Sequence, residues 1–290
     1  MIYLFCSIVL SSYLVLALKY VNNKGIATFE TIAFNYCTCV IVGSFVNAKV
    51  IQPSTIIHQP WFICAVVMGT LFVSIFNLIA TTVQKNGVSV ASVANKLSLV
   101  IPFLFSLYLY HEYAGWTKWI GLSIALIAVW FTCFAAQTGK HKKLSAWVRY
   151  GLPSMLFISS GLLDTFINYI EKKYLTDYNK NDFLISTFFV AATISIICVL
   201  YRIIIQKRIF SWKPVVAGVL IGIPNYFSIW SLVQVLQKYT AYGATIIPIN
   251  NMGIVLFSTV TSALMFKEKL SVINWIGILL SIVAIGFMAY

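Results

Sequence analysis

The chain of 290 residues is 60% hydrophobic and only 9% charged, and its mean hydropathy is +0.91. Such values indicate an integral membrane protein and leave no room for a separate soluble domain. The formal net charge of +13 does not indicate nucleic-acid binding, because the lysines and arginines lie singly or in small clusters at the ends of apolar segments, where they favour lipid headgroups.

Apolar segments of about 20 residues, the length that crosses a bilayer, follow one another along the whole chain. They predict an all-α membrane protein with ten transmembrane helices: Ile2–Leu18, Thr31–Ala48, Trp61–Val83, Val88–Tyr110, Trp116–Ala136, Val148–Tyr169, Phe183–Ile205, Val215–Val235, Ala241–Phe266 and Val272–Tyr290. The first segment lacks a positively charged leader and a small-residue cleavage pattern, so we expect it to stay in the fold.

The sequence offers no sign of an enzyme or of a metal site. Its three histidines lie in predicted loops, and it contains no HExxH motif, no nucleophile elbow and no glycine-rich phosphate loop. The six cysteines fall in apolar segments without the spacing of metal ligands. We therefore expect no enzyme activity, no cofactor and no bound metal.

The two halves of the chain repeat each other. One constant shift superposes Asn95 on Asn251, Glu112 on Glu268 and the segment Trp119–Gly121 on Trp275–Gly277. This predicts two repeats, residues 1–139 and 146–290, with five helices each. Because five is an odd number, the copies enter the membrane in opposite orientations. Inverted repeats are typical of secondary transporters, which bind substrate near the middle of the bilayer between the repeats.

In each half a span ends in an acidic residue, Glu112 or Glu268, and a span beginning near Trp-Ile-Gly follows. With ten spans in two halves of five, this resembles the drug/metabolite transporter superfamily in its EamA-like branch. The resemblance covers the whole chain and is best over Asn225–Tyr290. It implies transport of small metabolites without naming a substrate, and we expect a multi-pass protein of a bacterial-type cytoplasmic membrane.

The orientation of the chain stays open at this stage. The connections after odd-numbered helices carry more lysines and arginines than those after even-numbered helices. Cytoplasmic loops normally hold that excess, so the charge distribution places both termini outside. The resemblance implies cytoplasmic termini instead.

Lys96 lies near the middle of the fourth predicted helix, where a charged side chain is costly and usually faces a polar cavity. Its neighbour Asn95 and two amides of the ninth helix, Asn250 and Asn251, lie at corresponding positions in the two halves. An ammonium among amides suits a carboxylate, a phosphate or a sugar. These four residues are the predicted centre of a substrate site. Alternatively, Lys96 pairs with a carboxylate only to fix helix packing.

Two prolines lie close to this cluster. Pro102 follows Lys96 in the fourth helix, and Pro248 precedes Asn250 in the ninth. Each removes a backbone hydrogen bond, so we expect both helices to be interrupted there. Interrupted helices in corresponding positions of two repeats point to a transporter binding site.

Asp164 and Asn168 lie one turn apart on the sixth predicted helix. A carboxylate at that depth is a candidate partner of Lys96 or a candidate site for a coupling proton. The alternative is an aspartate near the membrane interface that bonds only to its neighbours.

Further candidates for substrate binding lie on the eighth and third helices. Asn225, Tyr226 and Trp230 follow a proline and form an aromatic surface with one amide, which suits a ring or a sugar. Asn77 occupies a roughly corresponding place in the third helix. The alternative for the aromatic residues is core packing or contact with lipid.

Taken together, these patterns predict a secondary transporter, an exporter or exchanger, that moves a small polar metabolite by alternating access. The alternative is a non-transporting membrane protein or flippase-type subunit in which Lys96 has a structural role in an ion pair. The expected partners are a small-molecule substrate and the lipid bilayer, with no nucleic acid, and the chain is expected to act as a monomer or a homodimer.

Overall fold

The computed structural model describes residues 2–47, 56–110, 115–134, 145–176, 178–205, 207, 211–238, 243–266 and 271–289. Glu112 and Glu268 lie outside them. The described chain is helical: α1 Ile2–Asn23, α2 Thr28–Val46, α3 Phe62–Asn86, α4 Val88–Leu97, α5 Val100–Tyr110, α6 Trp116–Phe134, α7 Leu152–Tyr174, α8 Lys180–Ile204, α9 Trp212–Lys238, α10 Gly243–Phe266 and α11 Val272–Ala289. A π-helical turn, Trp147–Gly151, precedes α7.

The ten predicted helices are confirmed over the described residues, since α4 and α5 together are the fourth. Six apolar segments in this part of the chain are long enough to cross a membrane by length and composition: Ile2–Asn23, Thr28–Val46, Phe62–Asn86, Val88–Phe105, Lys180–Ile204 and Trp212–Leu232. Three shorter apolar helices accompany them, within α6, α10 and α11. The chain is therefore built as a multi-pass membrane protein.

Pro102 explains why the fourth helix is interrupted between α4 and α5. A proline has no N–H to donate, and its ring clashes with the carbonyl four residues earlier, here that of Ser98. The Ser98 carbonyl instead accepts a hydrogen bond from the Ile101 amide at 2.9 Å, in a tighter turn. The interruption follows Leu97 directly, so Lys96 lies in the last turn of α4. The partial negative charge of a helix C-terminus favours a cation at that position.

The ninth predicted helix behaves differently from the fourth. Helix α10 runs without a break from Gly243 to Phe266, so the interruption expected at Pro248 is absent from this helix. Pro248 lies in the second turn of α10, and the helix continues through it. Prolines within membrane helices are tolerated where neighbouring groups or local adjustments satisfy the freed backbone groups. The predicted interruption is thus confirmed in one of the two helices.

The chain groups into two compact units that do not follow chain order. Unit 1 comprises residues 1–19, 78–165 and 228–290, and unit 2 comprises residues 20–77 and 166–227. Each unit draws on both predicted repeats. The repeats at 1–139 and 146–290 and their opposite orientations stay predictions.

Unit 1 is held together by small residues between long helices. Helix α6 packs along α11, and three alanines at the contact, Ala125, Ala128 and Ala284, are fully buried. Helix α10 packs against both α4 and α11. Small side chains let membrane helices approach closely, which compensates for the weak hydrophobic driving force within lipid.

Unit 2 combines an aromatic core with a glycine contact. Helix α2 packs on α8, and the Tyr36 ring lies 5.9 Å from that of Phe76 and 6.2 Å from that of Phe188. The Tyr36 hydroxyl donates to the Phe72 carbonyl at 2.8 Å, so the buried phenol is satisfied. Helix α9 meets α2 so closely at Gly222 that an added Cβ would lie 2.5 Å from the Cβ of Thr38.

Candidate functional site

The structure divides the predicted site residues between the two units. Unit 1 contains Asn95, Lys96, Asp164, Trp230, Asn250 and Asn251. Unit 2 contains Asn77, Asn168, Asn225 and Tyr226. The residues of each unit are therefore described separately.

Helix α4 is almost wholly buried, and its exceptions are the two polar residues predicted to bind substrate. Eight of its ten residues are buried. The remaining two, Asn95 and Lys96, keep part of their surface accessible. Their neighbours Val93, Ala94 and Leu97 are each 1% exposed. The accessible surface of this helix is therefore confined to Asn95 and Lys96.

Asp164 supplies the opposite charge. The carboxylate of Asp164 on α7 and the ammonium of Lys96 on α4 attract each other electrostatically. Protein atoms around both side chains remove much of their hydration. Part of the surface of each residue nevertheless stays accessible. The interaction is coulombic and includes no hydrogen bond between the two side chains. Asp164 therefore acts on Lys96 at longer range than direct contact, and its role as a partner of Lys96 stays a prediction.

A glycine one turn before Asp164 sets the position of α7. A Cβ added at Gly161 would lie 2.5 Å from the Cβ of Ile101 on α5, closer than real side chains come. The absence of a side chain lets α7 reach α5 just after the interrupted turn. This close approach helps bring Asp164 within electrostatic range of Lys96.

Helix α10 brings the two predicted amides into the same unit. It is joined to α4 by a hydrogen bond from the Ser258 hydroxyl to the Ser92 hydroxyl at 3.0 Å. Asn250 is 3% exposed and Asn251 is 9% exposed. The side-chain oxygen of Asn250 has no hydrogen-bond partner among the described residues. A buried carbonyl oxygen without a donor is costly, so it is suited to accept a bond from a ligand or from water.

Serine hydroxyls extend the polar faces of α4 and α7, and they were not among the candidates predicted from sequence. Ser89 and Ser92 share the face of α4 that carries Lys96, and Ser160 shares the face of α7 that carries Asp164. The hydroxyls of Ser89 and Ser160 are buried without a partner in the described part of the chain. Ser89 lies two helical turns from Lys96 and Ser160 one turn from Asp164, and this spacing could have marked both serines in the sequence.

The amide of Asn225 in unit 2 is occupied by protein neighbours. Its nitrogen donates to the side-chain oxygen of Asn35 at 3.1 Å and to the sulfur of Cys39 at 3.5 Å. The Cys39 thiol in turn donates to the Gly222 carbonyl at 3.5 Å. This buried network joins α9 to α2 at the point where the two helices touch. Sequence spacing marked Asn225 but gave no weight to Asn35 and Cys39, which lie one turn apart on α2.

Tyr226 belongs to unit 2 and Trp230 to unit 1, and each ring packs on a residue of its own unit. The Tyr226 ring packs over Gly43 of α2 in unit 2, and its hydroxyl accepts a hydrogen bond from Asn47 at 3.2 Å. The Trp230 ring meets that of Tyr3 edge to face, 5.8 Å apart, in unit 1. Each ring therefore has a packing partner of its own.

The remaining candidates lie in unit 2. Asn77 donates to the Val73 carbonyl of its own helix at 2.7 Å. Asn168 lies on α7, one turn after Asp164, at a position where the backbone alone is described. Among the described residues, no group of three histidine, cysteine or acidic side chains lies close enough to hold a metal ion.

The chain is similar to known proteins whose descriptions name no activity. No protein-family profile matches the chain. A protein of Haemophilus influenzae described as uncharacterized is 26% identical over 293 aligned residues, which cover 98% of this chain and 95% of that protein. The chain therefore has a distant bacterial homologue. A solved crystal structure of a protein matches 99% of this chain and 94% of its own with a TM-score of 0.62 at 15% identity, a likeness of fold alone.

Proposed function

We propose that the chain is a secondary transporter of a small polar metabolite, an exporter or exchanger that works by alternating access. The observation that carries this proposal is the accessible pair Asn95 and Lys96 on an otherwise buried helix. Asp164 acts on Lys96 from α7, and Asn250 and Asn251 lie on α10, which packs against α4. A charge within an apolar segment beside an interrupted helix is a recurring feature of transporter binding sites.

We further infer membership of the drug/metabolite transporter superfamily, in its EamA-like branch, with two inverted five-helix repeats. Ten helices, an interrupted fourth helix and the constant shift between the halves support this inference. The distant homologue from a bacterium supports a location in a bacterial-type cytoplasmic membrane. The proposed activity is movement of a substrate between compartments without a chemical reaction on it.

Reconstitution tests the proposal directly. The purified chain is placed in liposomes, and a metabolite library is screened for uptake or exchange. We expect at least one metabolite to move, and Lys96→Ala to abolish most of that movement. Unchanged transport in that variant would remove Lys96 from the mechanism.

The electrostatic interaction of Lys96 with Asp164 also fits a second candidate, a non-transporting protein or flippase-type subunit in which the pair fixes helix packing. The two functions separate in a thermal unfolding assay with added metabolites. A transporter is stabilised in proportion to ligand occupancy. A structural pair gives no response to any ligand, and its removal lowers stability strongly.

A further inference from the structure

One serine hydroxyl bonds across the turn that interrupts the fourth helix. The Ser98 hydroxyl donates a hydrogen bond to the backbone carbonyl of Asn95, three residues before it. Two backbone bonds complete the turn, from the Ile101 amide to the Ser98 carbonyl at 2.9 Å and from the Phe103 amide to the Leu99 carbonyl at 3.2 Å. The Asn95 carbonyl is therefore bound by a side chain of the turn, at the place where α4 ends.

Pro102 explains why a hydroxyl matters at this position. Proline has no N–H, so the backbone ladder of a continuous helix cannot pass through the turn unchanged. Serine and threonine side chains are among the groups that bond the backbone atoms freed in this way inside a membrane helix. Ser98 is 0% exposed, and its neighbours Leu97 and Val100 belong to the apolar core of unit 1. Ser98 is thus placed to hold the turn and not to contact a substrate.

The second half of the chain differs at the corresponding positions. The constant shift between the halves places Ile254 at the position of Ser98 and Ser258 at the position of Pro102. Serine has the backbone N–H that proline lacks, and α10 is continuous through both positions. The Ile254 carbonyl accepts a bond from the Ser12 hydroxyl of α1 at 3.3 Å, so this donor comes from another helix. At this position the interrupted helix carries its own hydroxyl, and the continuous helix carries an apolar side chain.

We propose that Ser98 is a positioning residue, which fixes the last turn of α4 and thereby keeps Asn95 and Lys96 on its accessible side. Only these two residues of α4 keep accessible surface, and the next residue, Leu97, is 1% exposed. Neighbouring residues of a helix point about 100° apart, so a small rotation of this turn would exchange a buried position for an accessible one. Ser98 opposes that rotation through its bond to the backbone of Asn95. Its importance for transport rests on the proposed function.

Cysteine labelling measures this arrangement without a substrate. In a full-length chain whose native cysteines have been replaced, Asn95→Cys and Leu97→Cys are made singly, and each reacts with 2-sulfonatoethyl methanethiosulfonate, a small anionic thiol reagent. The ratio of the reaction rate at 95 to that at 97 reports which residue the last turn exposes. We expect Ser98→Ala to lower this ratio about fivefold or more, because a buried carbonyl that loses its donor drives the turn to rearrange. Ser98→Thr keeps the hydroxyl and should hold the ratio within about twofold of the parent value.

Two further variants separate this role from general loosening of the helices. Ser281 of α11 is also fully buried, and its hydroxyl donates to the Ile278 carbonyl, three residues before it, at 2.6 Å. Because α11 is continuous, Ser281→Ala should leave the labelling ratio within about twofold of the parent value. Pro102→Ala restores a backbone N–H at the interruption, so the helix can continue and the Ser98 hydroxyl has less to hold. In that background Ser98→Ala should change the ratio by less than about twofold.

An unchanged labelling ratio in Ser98→Ala would overturn the assignment of Ser98. An equal effect of Ser98→Ala with and without Pro102, or an equal fall of the ratio in Ser281→Ala, would overturn it as well. Labelling requires no transport, so a failure to find any transported metabolite would remove the proposed function and leave the role of Ser98 in the turn intact. Transport that depends on Lys96, together with an unchanged ratio in Ser98→Ala, would do the reverse.

Discussion

The two compact units both bury asparagines, but they satisfy them differently. In unit 2, Asn225 bonds to Asn35 and Cys39 and so joins two tightly packed helices. In unit 1, Lys96 and Asp164 interact without a hydrogen bond, and the Asn250 oxygen has no partner among the described residues. A polar group that its neighbours satisfy stabilises the fold, whereas one left unsatisfied is available to a ligand. The amide nitrogen of Asn225 in unit 2 is therefore engaged by protein neighbours, whereas the side-chain oxygen of Asn250 in unit 1 is available to a ligand.

The largest expected effect is the loss of transport in Lys96→Ala. Removing one partner of a desolvated charge contact costs about 2–5 kcal/mol, so the initial rate per folded molecule should fall roughly 30-fold or more. Lys96→Arg should restore only part of the rate, because a planar guanidinium does not imitate a compact ammonium.

The matched control for that measurement is Lys173→Ala. Lys173 is exposed at the end of α7 and contacts the Tyr169 hydroxyl at 2.8 Å. Its removal should leave the rate within about twofold of the parent chain, since exposed polar contacts contribute little. Equal losses of transport rate in Lys96→Ala and Lys173→Ala would mean that the loss reflects general disruption of the protein and not a role of Lys96.

The next effect in size concerns the packing of unit 2. In Gly222→Ala the new Cβ would lie 2.5 Å from the Cβ of Thr38 and 2.8 Å from the carbonyl oxygen of Asn35. Helix α9 would have to shift, and overpacking of this kind lowers the free energy of unfolding by about 1–3 kcal/mol. Chemical or thermal unfolding in detergent measures the loss.

Gly286→Ala provides the comparison. Nothing lies within 4 Å of a Cβ added at this position in α11. Alanine is a better helix former than glycine, so we expect the free energy of unfolding to rise by about 0.5–1 kcal/mol. Similar changes in both variants would contradict the close contact of α9 with α2.

A third variant asks whether Asn225 binds substrate or holds helices. Asn225→Ala removes the amide donor of the buried Asn35 oxygen and leaves it a contact of 3.9 Å with the Cys39 thiol, which should lower the free energy of unfolding by about 1–3 kcal/mol. Transport per folded molecule should stay within about twofold. Loss of transport at unchanged stability would return Asn225 to the substrate site predicted from sequence.

A small effect is also expected at the hydroxyl contact between α4 and α10. The Ser258 hydroxyl donates to Ser92 at 3.0 Å. A double-mutant cycle with Ser92→Ala and Ser258→Ala should give a coupling free energy of about 0.5–1.5 kcal/mol. A coupling free energy of zero would show that the two hydroxyls do not interact.

Sequence alone predicted the ten helices because lipid demands long apolar segments with all backbone bonds made internally. It also located the interruption at Pro102, since a proline acts on its own helix. The different behaviour at Pro248 was not predictable from residue type, because a membrane helix can continue through a proline where its surroundings satisfy the freed backbone groups. The opposite orientation of the two repeats stays a prediction.

The candidate site was predictable in part. Lys96 stood out because a charge in an apolar segment is rare, and Asp164, suggested as its partner, interacts with it electrostatically. The network of Asn35, Cys39 and Asn225 was missed because it joins residues far apart in sequence through a close helix contact. Likewise, no local pattern shows that Tyr226 packs over Gly43 and that Trp230 packs on Tyr3.

The most direct test of the central claim is the chemical accessibility of Asn95. Single cysteines are placed at Val93, Asn95 and Leu97 in a chain whose native cysteines have been replaced, and each variant is exposed to a small charged thiol reagent. We predict that the cysteine at position 95 reacts, since Asn95 keeps part of its surface accessible, and that those at 93 and 97 do not, since both residues are 1% exposed. An unreactive cysteine at 95, or equal reaction at all three positions, would contradict an accessible polar surface beside Lys96.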